Sequence, residues 1–371
     1  MSDDMVRIAI VGCGGMGRRH SKLLGAVPGA AVALLVDPAP AAVERLRREN
    51  GLEHVPSAGE PEAAFGDPSI DAVVIATHHD LHPSLAIAAA QAGKHVFVEK
   101  PLALTLEACR EIEAAVASSG VQLLVGFQAR HSPFVQKAHE AIPQPRVLIG
   151  QMIDPKWGDA AWSQHPIEGG GNVLSQGVHT FDLMCYLAAD EPVAVHAEGG
   201  TFTHDPVTTE VIDSVVATIR FAGGAVASAA IGDFGPTPRL GKSCYQLFDA
   251  AGRSATIYRY YEGVVIGEGR QWVDFGPEGV TRGRIEGMGH REVAESSEAT
   301  TTHLSARSRG PLGQLGYVGE LAEFVDCVRH SRPPAIGATV HDGTRATQLA
   351  LACFESIRSG RTVELRVPSN R

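Results

Sequence analysis

Apolar residues run unbroken, Arg7 aside, from Val6 to Val11 and stop at a glycine cluster. Short apolar runs bounded by turn residues read as strands buried on both faces. Similar runs cover 31–36, 71–76, 95–99 and 121–127. Helical spacing fills the intervals: from Gly17 to about 26, 82–92 closed by Gly93, and 105–119 with Thr105 as N-cap and Gly120 beyond its end. Strands alternating with helices at this interval build a parallel sheet whose ligands gather at the carboxyl ends of the strands. From about Arg146 the pattern changes. Strands at 211–221 and 225–231 flank Gly223-Gly224, a hairpin signal, and others fall near 243–249, 254–258, 263–267 and 271–275. These predict an open, mainly antiparallel sheet of roughly six strands. The stretch 277–314, with Arg282, Arg284, His290, Arg291 and His303, reads as a long surface loop, and 317–330 and 341–359 as helices.

The first glycine cluster, Gly12-Cys13-Gly14-Gly15-Met16-Gly17, lies between strand and helix, and Asp37 follows the next strand 20 residues beyond Gly17. That is the full context of a dinucleotide fingerprint. Gly12 permits the turn, Gly14 lets backbone approach a pyrophosphate, and Gly17 lets helix and strand pack closely. The helix N-terminus offers the pyrophosphate free N–H groups. Asp37 suits an adenosine ribose and repels a 2′-phosphate, which favours NAD over NADP. Arg45, Arg47 and Arg48 read as the exposed face of the next helix.

Composition narrows the partners. The 371 residues suit two domains, and 44% hydrophobic with 20% charged residues describes a globular chain. A net charge of −10 argues against nucleic acid and anionic membranes. No apolar stretch spans a bilayer, no signal peptide opens the chain, and six scattered cysteines lack metal-ligand spacing. A cytoplasmic protein with reduced thiols is the expectation. Lysine is scarce, six against 26 arginines (32 basic residues less six). Lys100 at the end of Val96-Phe-Val-Glu99-Lys100-Pro101 therefore stands out, because an ammonium can give up its proton and a guanidinium in practice cannot. Other polar groups fall at strand ends too: Thr77, His78 and His79, then Gln128.

The stretch 92–103, with the glycine fingerprint, the Thr77…His82 segment and Gly126-Phe-Gln-Ala-Arg130, resembles the glucose–fructose oxidoreductase, inositol dehydrogenase and rhizopine-catabolism (Gfo/Idh/MocA) family. The resemblance implies an α/β Rossmann domain at 1–128. It also implies an α+β substrate and oligomerisation domain at 129–371, whose C-terminal helices pack on the first domain or behind the sheet. It places Lys100 beside the nicotinamide, with a bond to Pro101 that is often cis. Backbone at Gly12, Gly14, Gly15, Met16 and Gly17, with Asp37, Thr77, His78, His82, Glu99, Lys100 and Gln128, would bind NAD. His78 and His79 replace the family's usual proline and amide, so they either meet ligand or fill the space. A metal among the three histidines is not expected.

A second stretch, 169–182, opens with three glycines before a helix, on which Ser175, His179 and Asp182 share one face at i, i+4 and i+7. The family has Asp-x-x-x-His there. His179 matches as acid/base or substrate ligand, and Ser175 departs, which leaves more proton chemistry to Lys100. Asp182 reads as a helix anchor or a replacement charge. Trp157 and Trp162 suit a ring-stacking wall or a packed joint, and Arg130 a substrate anchor or a salt bridge. The implied activity is hydride transfer between NAD(H) and a hydroxyl carbon of a sugar, glycoside or cyclitol, with desolvation and the nicotinamide charge favouring a neutral Lys100 amine. An NAD-retaining glycoside-cleaving or epimerising enzyme and a non-catalytic sensor are the alternatives. The open sheet implies a homodimer or homotetramer.

Overall fold

The computed structural model describes residues 5–205, 211–235, 241–267, 271–276, 279–286, 291–295, 313 and 315–365. The chain forms two compact units. The first comprises 1–128, 167–170 and 317–348, and the second 129–166, 171–316 and 349–371. The helices near the C-terminus therefore divide between the units.

In chain order the first unit holds β1 (Val6–Val11), α1 (Gly15–Leu24), β2 (Ala30–Val36), α2 (Pro40–Asn50), β3 (Ser57–Ala58), α3 (Glu62–Phe65), β4 (Ala72–Ile75), α4 (His82–Gln91), β5 (His95–Val98), α5 (Leu106–Ser119) and β6 (Leu123–Val125). Its strands are all parallel, in the order β3-β2-β1-β4-β5-β6. The order reverses direction between β1 and β4, the switch point where doubly wound sheets bind ligands. β4 is buried throughout, and Val96, Phe97 and Val98 of β5 are also buried, as unbroken apolar runs require. Phe97 packs with Leu24, Leu46, Leu321 and Phe324, while Ala90, Ala115 and Val121 form a smaller cluster of their own. Thr105 caps α5 by accepting from Ala108 N–H, and Gly120 ends it in the left-handed region.

The second unit holds α6 (Pro133–Ala141), β7 (Val147–Ile153), α7 (Val178–Ala188), β8 (Pro192–Gly200), β9 (Ser214–Phe221), β10 (Val226–Gly232), β11 (Ser243–Phe248), β12 (Ser254–Tyr258), β13 (Glu262–Ile266), β14 (Gln271–Gly276), β15 (Gly279–Glu286) and β16 (Arg291–Glu295). Two helices, α8 (Tyr317–His330) and α9 (Val340–Ser359), and a short β17 (Val363–Glu364) complete the chain. The second sheet has eleven strands in the order β16-β15-β14-β13-β12-β11-β7-β10-β9-β8-β17, antiparallel except where β10 runs beside β7.

This sheet exceeds the roughly six strands read from the sequence. Part of the excess, β15 and β16, lies in the stretch expected to be a loop. That stretch is glycine-rich and charged, and its strands extend the ladder from the edge of β14, so pairing supplies what local pattern does not. His290 and His303 lie outside the described residues. Along β9 and β10 one face is buried, through Val215, Ala217, Ile219, Ala227, Ala229 and Ile231. Bare Gly150 on β7 admits Met184 of α7 and Tyr245, which would lie 2.5 Å and 2.7 Å from a Cβ there. Among the described residues no helix is long and apolar enough to cross a membrane.

Candidate active site

The glycine loop divides its work by position. Gly12 has φ +95°, and a Cβ on it would lie 2.4 Å from the Ala76 carbonyl oxygen. A Cβ on Gly17 would lie 1.9 Å from the Gly12 carbonyl oxygen. Only glycine fits either place. At Gly14 and Gly15 a Cβ would meet nothing within 4 Å, so backbone there fronts open space. α1 begins at Gly15 with no side-chain cap and no acid in its first turn, which leaves its first N–H groups and its positive end for an anion. The residues present thus fit a pyrophosphate.

Asp37, at the end of β2, does more than face a ribose. Its Oδ2 accepts from Cys13 N–H at 2.8 Å and its Oδ1 from Ala39 N–H at 2.8 Å, so it ties the glycine loop to the start of α2. Each oxygen keeps a lone pair for a ribose hydroxyl. Nearby arginines are engaged. Arg45 donates to Glu49, and Arg47 to Glu44, the Val55 carbonyl and Ser57.

Lys100 leaves the carboxyl end of β5 with both chain neighbours anchored. On one side Glu99, buried, accepts from His20 Nε2 at 2.7 Å through Oε1 and from Lys100 N–H at 3.2 Å through Oε2. Burial alone would raise the Glu99 pKa, but His20 and the charge of Lys100 hold its carboxyl below the usual range. On the other side His82 Nδ1 contacts the Pro101 carbonyl at 2.8 Å, and the Lys100–Pro101 bond is cis. Burial keeps His82 below the usual imidazole range. His79 lies far below it, through burial first and then the charges of His82 and Lys100, while its Nδ1 meets the Gly169 carbonyl at 2.9 Å. Two neutral imidazoles and one carboxylate therefore surround Lys100. His78 is exposed, 3.8 Å from Glu168, and Thr77 Oγ1 donates to the His78 carbonyl. Gln128 is buried, with Oε1 lacking a hydrogen-bond partner.

In the second unit the helix expected to run on from the glycines is not uniform. Residues Val173–Gly177 form a π turn, and α7 starts only at Val178. The wider turn moves Ser175 out of the α-helical register that would stack it on His179, and π turns of this kind frequent functional sites. Gly177 allows the turn to lie on β10, since a Cβ there would come 2.9 Å from Ile231. Ser175, inside the π turn, and His179, the second residue of α7, are both buried. Arg130 and Asp182 belong to each other. Arg130 Nε and Nη2 donate to the two Asp182 oxygens at 2.9 Å and 2.6 Å, and the guanidinium stacks on Tyr186. Both side chains are buried, and the ion pair ties Arg130 to α7. Trp157 and Trp162 stand exposed.

Two features escaped the sequence reading. Asn172, fully buried just before the π turn, has neither end of its amide hydrogen-bonded. Gln176 Oε1 accepts from Lys242 Nζ at 2.9 Å, and the same ammonium meets Asp154 at 2.8 Å. Only the distance in sequence hid this link, since Lys242 lies 66 residues beyond Gln176.

Residues 6–127 match the model of an oxidoreductase family with an NAD-binding Rossmann fold, and 139–256 match the GFO/IDH/MocA C-terminal domain. The chain is 28% identical to the scyllo-inositol 2-dehydrogenase (NAD(+)) of Bacillus subtilis, over 98% of each chain. It is 30% identical to the levoglucosan dehydrogenase of Pseudarthrobacter phenanthrenivorans, over 69% of this chain and 74% of that one. In fold it is similar to a levoglucosan dehydrogenase solved with NADH and levoglucosan, with TM-score 0.78 and 23% identity over 97% of this chain and 99% of that one. The chain is thus a member of the Gfo/Idh/MocA family of NAD-binding oxidoreductases.

Proposed function

We propose that the protein is an NAD(H)-dependent dehydrogenase acting on a ring hydroxyl of a cyclitol or sugar. The observation that carries this reading is the setting of Lys100, a strand-end amine beside one carboxylate and two neutral imidazoles, in the unit that binds the dinucleotide. The inositol and levoglucosan activities named for its relatives support the substrate class. NAD, when bound, supplies the hydride acceptor or donor. Lys100 takes the hydroxyl proton, or returns it, and its N–H groups stabilise the developing alkoxide. His179, buried at the start of α7, is assigned a substrate hydroxyl as second acid/base group, and Asn172 offers an amide to another hydroxyl. Ser175 brings no charge to His179, so the larger share of proton transfer falls to Lys100. Trp157 and Trp162 serve as an apolar wall for the ring.

We assign the outer sheet face to a second copy of the chain. Phe248, Val147 and Val226 lie side by side across three strands and are exposed, with Ile149 and Val216 on the same face. Six cysteines, all buried and scattered along the chain, suit a reducing compartment, the cytoplasm.

The test is a panel of inositols, 1,6-anhydro sugars and aldoses with NAD, read as NADH absorbance. Stoichiometric NADH with one ring polyol supports the reading. Turnover without net NADH favours the NAD-retaining alternative, and no turnover of any kind favours the sensor. Light scattering reads the oligomer.

A further inference from the structure

β7 runs out into a segment, 154–164, that carries both exposed tryptophans. Its own backbone holds them only through two short turns, one closed by Ala161 N–H on the Gly158 carbonyl and one at Trp162–Gln164. Three polar anchors tie it to the rest of its unit. At its root Asp154 N–H donates to the Gly232 carbonyl at 2.8 Å, the Asp154 carbonyl accepts from Gly235 N–H, and the carboxylate takes the Lys242 ammonium. At its far end Gln164 Nε2 donates to Asp233 Oδ2 at 3.4 Å. Between the tryptophans, Asp159 Oδ1 meets His204 Nδ1 at 2.7 Å.

The other nitrogen of that ring, Nε2, meets Asp233 Oδ2 at 2.8 Å. The His204 side chain is wholly buried, and its backbone N–H donates to Asp213. One imidazole therefore bridges two carboxylates, one on the tryptophan segment and one just past the end of β10. A neutral imidazole carries one N–H and serves one carboxylate; the protonated ring serves both. The bridge is complete only with the second proton in place.

The surroundings favour that proton. Burial opposes the charge on His204, but Asp233, Asp159 and Asp213 outweigh it and hold the ring above its usual range. Asp233 is itself pushed up to about 6 by burial, with Asp154 and Asp213 adding to the rise against the pull of His204. Among the described residues, Lys156 lies 3.6 Å from Asp159 and Lys242 sits on Asp154.

We propose that His204, as an imidazolium, is a positioning residue that clamps segment 154–164 and so sets Trp157 and Trp162 as a wall for the C–H face of a ring polyol. The clamp stands on this geometry alone, and what the wall binds rests on the dehydrogenase reading above. Aromatic side chains fixed beside a few polar groups are the usual means of orienting a small ligand. Loosening the wall weakens capture of the ring while leaving Lys100 in place, so KM rises more than kcat falls.

The experiment uses the full-length protein carrying Trp272→Phe, so that fluorescence reports Trp157 and Trp162 alone. Acrylamide quenching and steady-state kinetics are compared for this parent, His204→Asn, and the milder Asp159→Asn at the half-exposed end of the clamp. Both variants should raise the quenching constant and raise KM for the ring substrate about tenfold, the effect of one lost hydrogen bond to a charged group. Asp159→Glu should restore both. In the parent, quenching should rise as pH is raised and His204 loses its proton, and His204→Asn should abolish that step. Quenching identical to the parent in both variants at every pH overturns the clamp. Looser tryptophans with an unchanged KM overturn the wall. A parent that oxidises no ring polyol defeats the dehydrogenase reading, while the quenching still decides the clamp.

Discussion

His82 donates its Nδ1 proton to the carbonyl oxygen of Pro101 at 2.8 Å, and so holds the residue that follows Lys100. The direction of the bond follows from two facts. Burial keeps the ring neutral, and a carbonyl oxygen can only accept. Glu99, held by His20, fixes the residue before the lysine, so a histidine secures the backbone on each side of it.

Replacing His82 by Leu leaves that carbonyl without its donor in a buried place. Unfolding free energy should drop by about 1–3 kcal/mol. Urea denaturation reads the loss, and kinetics should show kcat falling more than KM rises, because what is displaced is the lysine and not the ring-binding surface. Equal stability and unchanged kcat would remove His82 from this role.

Acid should destabilise the first unit through the same histidines. His79 and His82 stay neutral in the fold, held below the ordinary imidazole value of about 6.5, while the unfolded chain takes up their protons near that value. Below about pH 6.5 the unfolded state binds more protons, so stability falls as pH falls, by up to about 1.4 kcal/mol per pH unit for each proton. His204 works with the opposite sign, so the comparison is of slopes. Between pH 7 and pH 5 the double variant His79→Asn, His82→Asn should lose less stability than the wild type. Parallel curves would contradict the buried neutral assignment.

Asp37 carries cofactor choice and loop shape together. Asp37→Ala should raise KM for NAD about tenfold or more, as expected for losing hydrogen bonds to a charged group. It should also narrow the preference over NADP, since the carboxylate that repels a 2′-phosphate is gone. The ratio of kcat/KM for the two nucleotides is the measurement, and an unchanged ratio would show that preference is set elsewhere.

The Arg130–Asp182 pair gives a stability prediction. Arg130→Met takes the guanidinium away from the buried Asp182 carboxylate, at a cost of about 3–5 kcal/mol. Arg130→Met with Asp182→Leu should recover most of that. A double variant as unstable as the single one would mean that the pair does more than neutralise itself.

The first unit was legible because its signals are local. Unbroken apolar runs mark strands buried on both faces, and the glycine loop needs glycine at Gly12 and Gly17 for reasons within a few residues of chain. Thr105 and Gly120 bounded their helix for the same reason. The second unit hides its organisation in long-range pairing. β15 and β16 are strands because β14 offers an edge, and Arg130 finds Asp182 across 52 residues. The π turn at Val173–Gly177 packs its last residue, Gly177, against Ile231, a long-range contact that helical spacing does not encode. His204 bridges carboxylates 45 residues before and 29 after it.

Lys100 is assigned the proton chemistry of an NAD-dependent hydride transfer. Its most direct test is kcat for Lys100→Met, measured beside NADH affinity by fluorescence titration on the same preparation. kcat should fall on the order of 10²–10⁴-fold, the range of a lost general acid/base, with NADH binding unchanged. A variant that turns over at the wild-type rate, or that loses NADH binding in step with activity, would contradict it.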